Sequence, residues 1–189
     1  MARAGLTRDA VVDIALTIVD SDGSDALSLR AVAEHARVAP PSLYKHIAGL
    51  PALRTQVSIR VLDELTAALT QAAIGRSGPT AVAALLHAYR AYAVAHPARY
   101  AAVPADPLHD PALAEAAGRQ LAVIQTVLQG CGITGAEAVH TIRGLRAVVH
   151  GFAHIEAAGG FGLSEDVDES FDRLVRTFTA ALPEDQHTA

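Results

Sequence analysis

The sequence is poor in cysteine, in aromatic residues and in long apolar runs. Its 189 residues include one cysteine, four phenylalanines, four tyrosines and no tryptophan. The single Cys131 excludes an internal disulfide and is typical of a reducing compartment. No stretch reaches the ~18 consecutive apolar residues that a membrane span requires, and Met1–Leu6 lacks the apolar run of a signal peptide. We therefore expect a cytoplasmic protein without membrane contact.

The sequence also lacks the motifs of several enzyme classes. No G-x-S-x-G elbow frames a nucleophilic serine, and no glycine-rich loop follows a strand to cradle a phosphate. His150 and His154 are four residues apart, a spacing that can bind a metal on one helical face. Gly151 follows His150, which excludes an H-E-x-x-H protease, and packing or pocket lining is the favoured interpretation of the pair. We predict a protein that is not an enzyme and has no metal or cofactor.

Charge is unevenly distributed along the chain. The whole chain has a net charge of −5, but residues 26–60 carry +4, between segments of −3 (residues 1–25) and −6 (residues 61–189). A short basic segment in an acidic chain is typical of a DNA-binding module joined to a domain that does not contact DNA. A basic, solvated face is the alternative interpretation, so charge alone only suggests DNA binding.

The first third of the chain reads as a series of helices. Apolar residues at i, i+3, i+4 and i+7 follow Thr7, a plausible N-cap, and predict a first helix that ends near residues 21–24. Ser28 is expected to cap a short second helix. The third helix is predicted at Ala39–Ile47, with two prolines in its first turn. A fourth, longer helix carries its apolar face from Leu53 to Leu69 and ends before Gly75.

The rest of the chain is also helical in pattern. Helices are predicted at Thr80–His96, Pro111–Gln129, Ala136–Ala158 and Glu165–Leu182, and the proline-rich segment Pro104–Pro111 is predicted as a loop. No strand-like alternation of useful length occurs, and the chain has no internal repeat. The sequence therefore predicts an all-α fold of about nine helices, with a boundary at roughly residues 50–75.

The segment from Ser28 to Ile47, SLRAVAEHARVAPPSLYKHI, carries the strongest functional signal. Two short helices are joined by a tight turn at residues 36–38. Ala33 is small where the helices must approach closely, and Val38 is the apolar residue that fills the angle between them. This is the pattern of a helix-turn-helix, whose second helix lies in the major groove of DNA.

The same segment resembles the DNA-binding domain of the TetR family. The resemblance extends from Thr7 to Arg54, and its specificity comes from about ten positions that agree in spacing. Those positions are Leu27-Ser28-Leu29-Arg30, Val32-Ala33-Glu34 and Val38-x-x-Pro41-x-Leu43-Tyr44-x-His46. The rest of the chain resembles the family's sensor domain more loosely, through His96-Pro97-x-Arg99-Tyr100 and the run from His150-Gly151 to Phe161.

The resemblance implies a domain organisation. Residues 1–50 are a three-helix DNA-binding domain with its motif at residues 28–47, and residues 51–189 are a larger helical bundle for ligand binding and dimerisation. The implied partners are double-stranded operator DNA, an unknown small-molecule effector and a second copy of the chain. The last two long helices, about 136–158 and 165–182, are the expected dimer surface.

The resemblance also assigns DNA contacts. Residues of the second and third helices are expected to touch phosphates or base edges, because arginine and lysine supply charge, and hydroxyl and imidazole groups donate hydrogen bonds. They are Ser28, Arg30, Pro41, Ser42, Tyr44, Lys45 and His46. Packing of Tyr44 and His46 against the first helix is the alternative, which their joint spacing disfavours.

Four positions depart from the family pattern. Arg37 stands where the family usually has glycine, so the turn either avoids positive φ or is modestly strained. Ala39 replaces the usual capping residue of the recognition helix. Leu50 stands where many members have a phosphate-binding lysine. Arg146 replaces a tryptophan that often precedes His-Gly in the related subtype.

A ligand pocket is expected between the helices of the second domain, where small-molecule sites in bundles form. Its candidate lining is aromatic or imidazole in character. The residues are Tyr89, Tyr92, Tyr100, His150, Phe152, His154 and Phe161. Core packing is the alternative for each of them taken alone.

Three functions are compatible with these observations. The first is a ligand-responsive repressor, whose effector shifts the dimer away from the spacing of two half-sites. The second is an architectural DNA-binding protein without an effector, which an effector screen would separate from the first. The third is a helical enzyme or carrier with an incidental basic face. The spacing of the helix-turn-helix in the basic segment favours the first two.

Overall fold

The computed structural model describes residues 6–183, and within this range the only regular secondary structure is helical, without strands. The predicted all-α class is therefore confirmed. Eight α-helices occupy α1 (Arg8–Asp22), α2 (Leu29–Ala36), α3 (Leu50–Ala73), α4 (Gly78–Ala95), α5 (Pro97–Ala101), α6 (Ala114–Gly130), α7 (Gly135–Ala157) and α8 (Val167–Thr179). Two 3-10 helices lie at Ser24–Ala26 and Pro40–Lys45. No helix in residues 6–183 is both long and apolar enough to cross a membrane.

The chain forms two compact units. Unit 1 comprises the described residues up to Leu62 together with His96–Ala117, and unit 2 comprises Asp63–Ala95 together with the described residues from Gly118 onward. Helix α3 contributes to both units. The predicted boundary after residue 50 separates the DNA-binding module from the rest of the chain by function, and it stays a prediction.

Helix α1 forms as its sequence predicts. The hydroxyl of Thr7 accepts a hydrogen bond from the backbone N–H of Ala10 at 3.1 Å, which satisfies one of the free donors at the helix start. The helix ends at Gly23, whose φ of 83° suits glycine. Its apolar face, including Val11 and Ala15, is fully buried, and α1 packs against α2 and α5.

Two predicted segments differ from the observed ones. Pro97 does not simply end α4, because a short helix, α5, begins at this residue. Proline is well tolerated at the first position of a helix, where its missing N–H would have no partner. The third helix, predicted as Ala39–Ile47, is a shorter 3-10 helix, as described below.

The core of unit 2 is formed where α4 packs against α7 and α8. Phe171 and Val175 of α8 are buried at 0% and 4% exposure in this core. Gly144 of α7 is small because the ring of Phe178 lies against it, at 3.0 Å from the position that a Cβ would occupy. Within the expected dimer surface of residues 136–158 and 165–182, Phe171, Val175 and Gly144 therefore serve packing within the protomer.

Candidate DNA-binding site

The helix-turn-helix begins at a capped helix. The hydroxyl of Ser28 accepts a hydrogen bond from the N–H of Ala31 at 3.1 Å, so Ser28 is the N-cap of α2, as predicted. Val32 and Ala33 are buried at 0% and 1% exposure. Their burial directs the opposite face of α2, with Arg30, toward solvent.

The turn after α2 requires a left-handed residue. Arg37 has φ 54° and ψ 45°, and it is the only non-glycine residue with positive φ in the described chain. The N–H of Val38 donates to the carbonyl of Ala33, five residues back, at 3.0 Å. This is the hydrogen bond of a Schellman motif that spans more residues. Arg37 adopts the conformation that glycine favours, so of the two alternatives for this turn the structure shows the strained one.

The segment that follows the turn is a 3-10 helix at Pro40–Lys45, which we call the recognition segment. Its first two residues are prolines, which have no backbone N–H to donate. The N–H of Ser42 bonds to the carbonyl of Ala39 at 2.9 Å, three residues back. Ala39 provides no side-chain cap. These features account for a shorter, tighter helix than the predicted α-helix.

Two buried side chains position the recognition segment. Leu43 and Ile47 are 0% and 4% exposed, and the segment packs against α2. Tyr44 is 61% exposed, and Lys45 is exposed beside it. Anchoring at Leu43 thus presents the next two side chains to solvent, where they are free to meet a nucleic acid.

The other predicted DNA contacts surround these two residues. Pro41 is exposed, and Ser42 and His46 are half-buried. Arg30 is exposed and donates to Glu34 at 2.9 Å, one turn along α2. The hydrogen bond and charge of Glu34 raise the pKa of Arg30 above its ordinary value. Both partners lie at the surface, so the pair is weak and a phosphate oxygen can replace the carboxylate.

Known proteins resemble the chain over nearly its full length. Residues 82–178 match the family described as Tetracyclin repressor-like, C-terminal domain. The uncharacterized HTH-type transcriptional regulator YobS of Bacillus subtilis (strain 168) is 34% identical over 181 residues, which cover 95% of this chain and 94% of YobS. The chain belongs to the TetR family. It is a helix-turn-helix transcriptional regulator, and members of its family bind operator DNA, dimerise and bind small-molecule ligands.

Solved structures share the fold of this TetR-family regulator. A protein with unknown function from Rhodococcus sp. RHA1 has a TM-score of 0.83 and 26% identity, with 96% of this chain and 98% of that chain covered. The TetR family protein ActR of Streptomyces coelicolor, solved in complex with (S)-DNPA, has a TM-score of 0.70 and 21% identity. That comparison covers 94% of this chain and 97% of ActR, and it shows the fold alone.

The candidate ligand residues of this TetR-family regulator are not all brought together. Tyr89 and Phe152 pack against the core of unit 2, and Phe161, 37% exposed, lies against Phe152 at a ring distance of 4.6 Å. The hydroxyl of Tyr92 donates to Glu64 at 2.8 Å. Tyr100 belongs to unit 1.

The two histidines of the candidate ligand set lie on the exposed side of α7. The rings of His150 and His154 stack at a centroid distance of 6.1 Å. Burial, followed by the charges of Arg146 and His154, lowers the pKa of His150 below its ordinary value. The pair therefore favours the neutral form of His150.

A charged cluster around Arg90 could not be predicted from the sequence. Its guanidinium donates to both carboxylate oxygens of Glu156 at 2.6 Å and to Asp168 at 2.7 Å. It also lies 5.4 Å from the ring centre of Phe152 and 4.9 Å from that of Phe171. The hydrogen bond with Glu156 raises the pKa of Arg90 against the opposing effect of burial. An arginine inside the apolar helix α4 was the available signal, since a buried charge requires a partner.

Proposed function

We propose that this regulator is a repressor that binds a palindromic operator as a homodimer and leaves it when a small-molecule effector binds. The observation that carries the proposal is the recognition segment, with Leu43 buried and Tyr44 and Lys45 exposed beside it. Residues 1–50 are the DNA-binding module in this proposal, and residues 51–189 serve ligand binding and dimerisation.

In this proposal the DNA contacts are made by groups on α2 and the recognition segment. Cations and hydroxyl groups bind phosphates and fix the register, while side chains that reach base edges select the sequence. The proposed contacts are Ser28, Arg30, Pro41, Ser42, Tyr44, Lys45 and His46. Ser28 has a second role as the N-cap of α2, so its variants are expected to affect stability as well.

The recognition segment is tested by two single variants on an operator obtained by selection from random DNA. Tyr44→Ala and Lys45→Ala are each expected to weaken operator binding by about 1–3 kcal/mol, because each loses a contact to base or phosphate. Circular dichroism should show unchanged helicity. Arg76→Ala is the matched control, since Arg76 is an exposed cation of unit 2. Full-strength binding by a Tyr44→Ala, Lys45→Ala double variant would refute the assignment.

Dimerisation is needed because one recognition segment reads too few base pairs to be specific. The exposed apolar side chain of Val139, at 43% exposure, supports α7 as part of the interface. Exposed apolar surface on a helix is stabilised by a partner that covers it.

The dimer surface is tested by introducing a charge on α7. Val139→Asp is expected to give a folded monomer that has lost operator affinity, because a carboxylate would be buried without a partner in the interface. Ile74→Asp is the control, since Ile74 is 61% exposed at the end of α3, outside the proposed interface. Sedimentation of the unmodified protein as a monomer at micromolar concentration would contradict the proposal.

The effector is proposed to be a mostly apolar small molecule that binds in unit 2. The aromatic side chains of that unit, Tyr89, Tyr92, Phe152 and Phe161, are the candidate contacts, because aromatic groups dominate such pockets. ActR, solved with (S)-DNPA, is a family protein with a bound small molecule. A ligand screen that yields thermal stabilisation but never DNA release would favour the architectural alternative.

A further inference from the structure

Unit 1 contains a cavity to which no role has been assigned so far. Its volume is about 200 Å³, it is partly open to solvent, and it is lined by α1, the 3-10 helix at Ser24–Ala26, α3 and the end of α5. An apolar cavity of about 150 Å³ in another protein is large enough to bind benzene. The cavity in unit 1 therefore has room for a molecule with a single ring.

The lining of the cavity is about half apolar and half polar. Its buried apolar part is formed by Val19 of α1, by Leu27 and by Val57 of α3, at 0%, 3% and 1% exposure. Ala101 and Ala102, at the end of α5, complete the apolar wall. Small side chains at these two positions leave space that a larger residue would fill. A hydrophobic ligand would replace the missing contacts.

The lining has one charged residue, Arg54, which is exposed at the surface. Arg54 and Ser24 line the cavity, and the guanidinium of Arg54 lies 3.4 Å from the carbonyl of Ser24, a long hydrogen bond. Two other arginines of unit 1 have carboxylate partners, since Arg60 pairs with Asp13 at 2.7 Å and Arg99 with Asp20 at 2.6 Å. Within residues 6–183, Arg54 has no carboxylate partner.

We propose that this cavity binds a small carboxylate with an apolar body, whose anionic group pairs with Arg54. A guanidinium binds a carboxylate through two parallel hydrogen bonds, and the apolar wall accommodates a ring or short chain. A cationic ligand is excluded by the charge of Arg54. The site lies in unit 1 and is independent of the effector proposed for unit 2.

Occupancy of the cavity would tie α5 more firmly to the base of the helix-turn-helix. Helix α5 is already attached to its neighbours by the Arg99–Asp20 pair and by the hydroxyl of Ser58, which donates to the carbonyl of Ala102 at 3.2 Å. The cavity wall includes Leu27, the residue before the N-cap of α2. A bound ligand would contact both ends of this connection and stabilise unit 1.

The proposal is tested on the full chain with benzoate and hexanoate, and with benzamide as the uncharged analogue of benzoate. A ligand of about nine non-hydrogen atoms is expected to bind in the millimolar range. In a titration followed by NMR, the bound carboxylate should shift the methyl signals of Val19, Leu27 and Val57. The affinity of benzamide is expected to be at least about fivefold lower than that of benzoate, because benzamide cannot form the charged pair.

Two variants separate the charge from the cavity. Arg54→Met should lower benzoate affinity about fivefold or more and leave benzamide affinity unchanged. Ala102→Phe should abolish binding of both probes, and its circular dichroism must match that of the parent chain. If Ala102→Phe does not fold, the proposal is decided by Arg54→Met alone, through the affinities of this variant for benzoate and for benzamide.

The control is Arg76→Met, which removes an exposed arginine of unit 2 and is expected to leave all affinities unchanged. The proposal is overturned if neither carboxylate shifts the three methyl groups at about 20 mM, well above the expected dissociation constant. It is also overturned if Arg54→Met binds benzoate as well as the parent chain does. Neither result bears on operator binding through the recognition segment or on an effector in unit 2.

Discussion

Arg30 and Arg90 show how differently the two units use a positive charge. The side chain of Arg30 in unit 1 is 86% exposed and has a single carboxylate partner on its own helix. The side chain of Arg90 in unit 2 is 12% exposed and bonds to carboxylates on α7 and near the start of α8. The first charge is available to another molecule, whereas the second connects three helices of its own unit.

This difference has a physical cause in burial. An exposed ion pair contributes little to stability, because water screens it and competes for its hydrogen bonds. A buried ion pair is surrounded by less water, and removal of one partner leaves an uncompensated charge. Unit 1 therefore leaves a cation of α2 accessible to solvent, and unit 2 uses its cation to fix the packing of α4, α7 and α8.

The largest effect is expected from removal of the buried charge. Arg90→Met should lower the free energy of unfolding by about 2–4 kcal/mol, because Glu156, whose side chain is only 19% exposed, would lose its partner. Urea unfolding measures this change. Arg30→Met is the matched variant in unit 1, and its effect on stability should stay within about 0.5 kcal/mol.

A second substitution distinguishes a lost contact from an unpaired charge. Adding Glu156→Gln to Arg90→Met should recover part of the lost stability, because the double variant leaves no charged carboxylate at that position. If the Arg30 and Arg90 variants lost the same free energy of unfolding, the two arginines would contribute equally to stability despite their different exposure.

A smaller effect is expected at the turn of the helix-turn-helix. Arg37→Gly should stabilise the protein by about 0.5–1 kcal/mol, because glycine adopts the left-handed conformation without the steric penalty of a Cβ. Gly23→Ala is the matched control, since Gly23 has φ 83° and no atom near the position of an added Cβ. It should destabilise by about 1 kcal/mol, because only backbone strain changes. Thermal unfolding measures both, and a destabilised Arg37→Gly would contradict a strained turn.

The smallest effect concerns His150 on α7. Its pKa is below the ordinary histidine value in the folded chain, so the unfolded chain binds the proton more readily. Stability should therefore fall slightly as pH decreases through the ordinary pKa of histidine, and level off below the folded-state pKa. His150→Gln should reduce this dependence in urea unfolding followed across that pH range. If the pH dependence of stability were the same in His150→Gln as in the parent chain, it would come from other histidines.

The sequence predicts most of the helix-turn-helix because its determinants are local. Ser28 caps α2 within three residues, and the apolar spacing of α1 identifies its buried face. The type of the recognition segment was harder to predict, since two prolines and an uncapped Ala39 change its hydrogen bonding without changing its apolar pattern.

Contacts between residues distant in sequence explain what could not be predicted. Arg90 and Glu156 are separated by 66 positions, and no periodicity connects them. The same holds for Tyr92 and Glu64, which are 28 positions apart. A small residue such as Gly144 of α7 could face a partner helix or its own chain, and it accommodates Phe178 of the same chain. A pattern of small residues shows that something approaches closely, and it does not show which element does so.

The way the recognition segment is held has a consequence for engineering. Its position depends on Leu43 and Ile47, which are buried, and on two prolines that restrict the backbone before any partner binds. The side chains at Tyr44 and Lys45 make little contribution to that position. In the proposed operator complex, the outward residues can therefore be randomised in a library for new operators, while the four fixed positions maintain the scaffold.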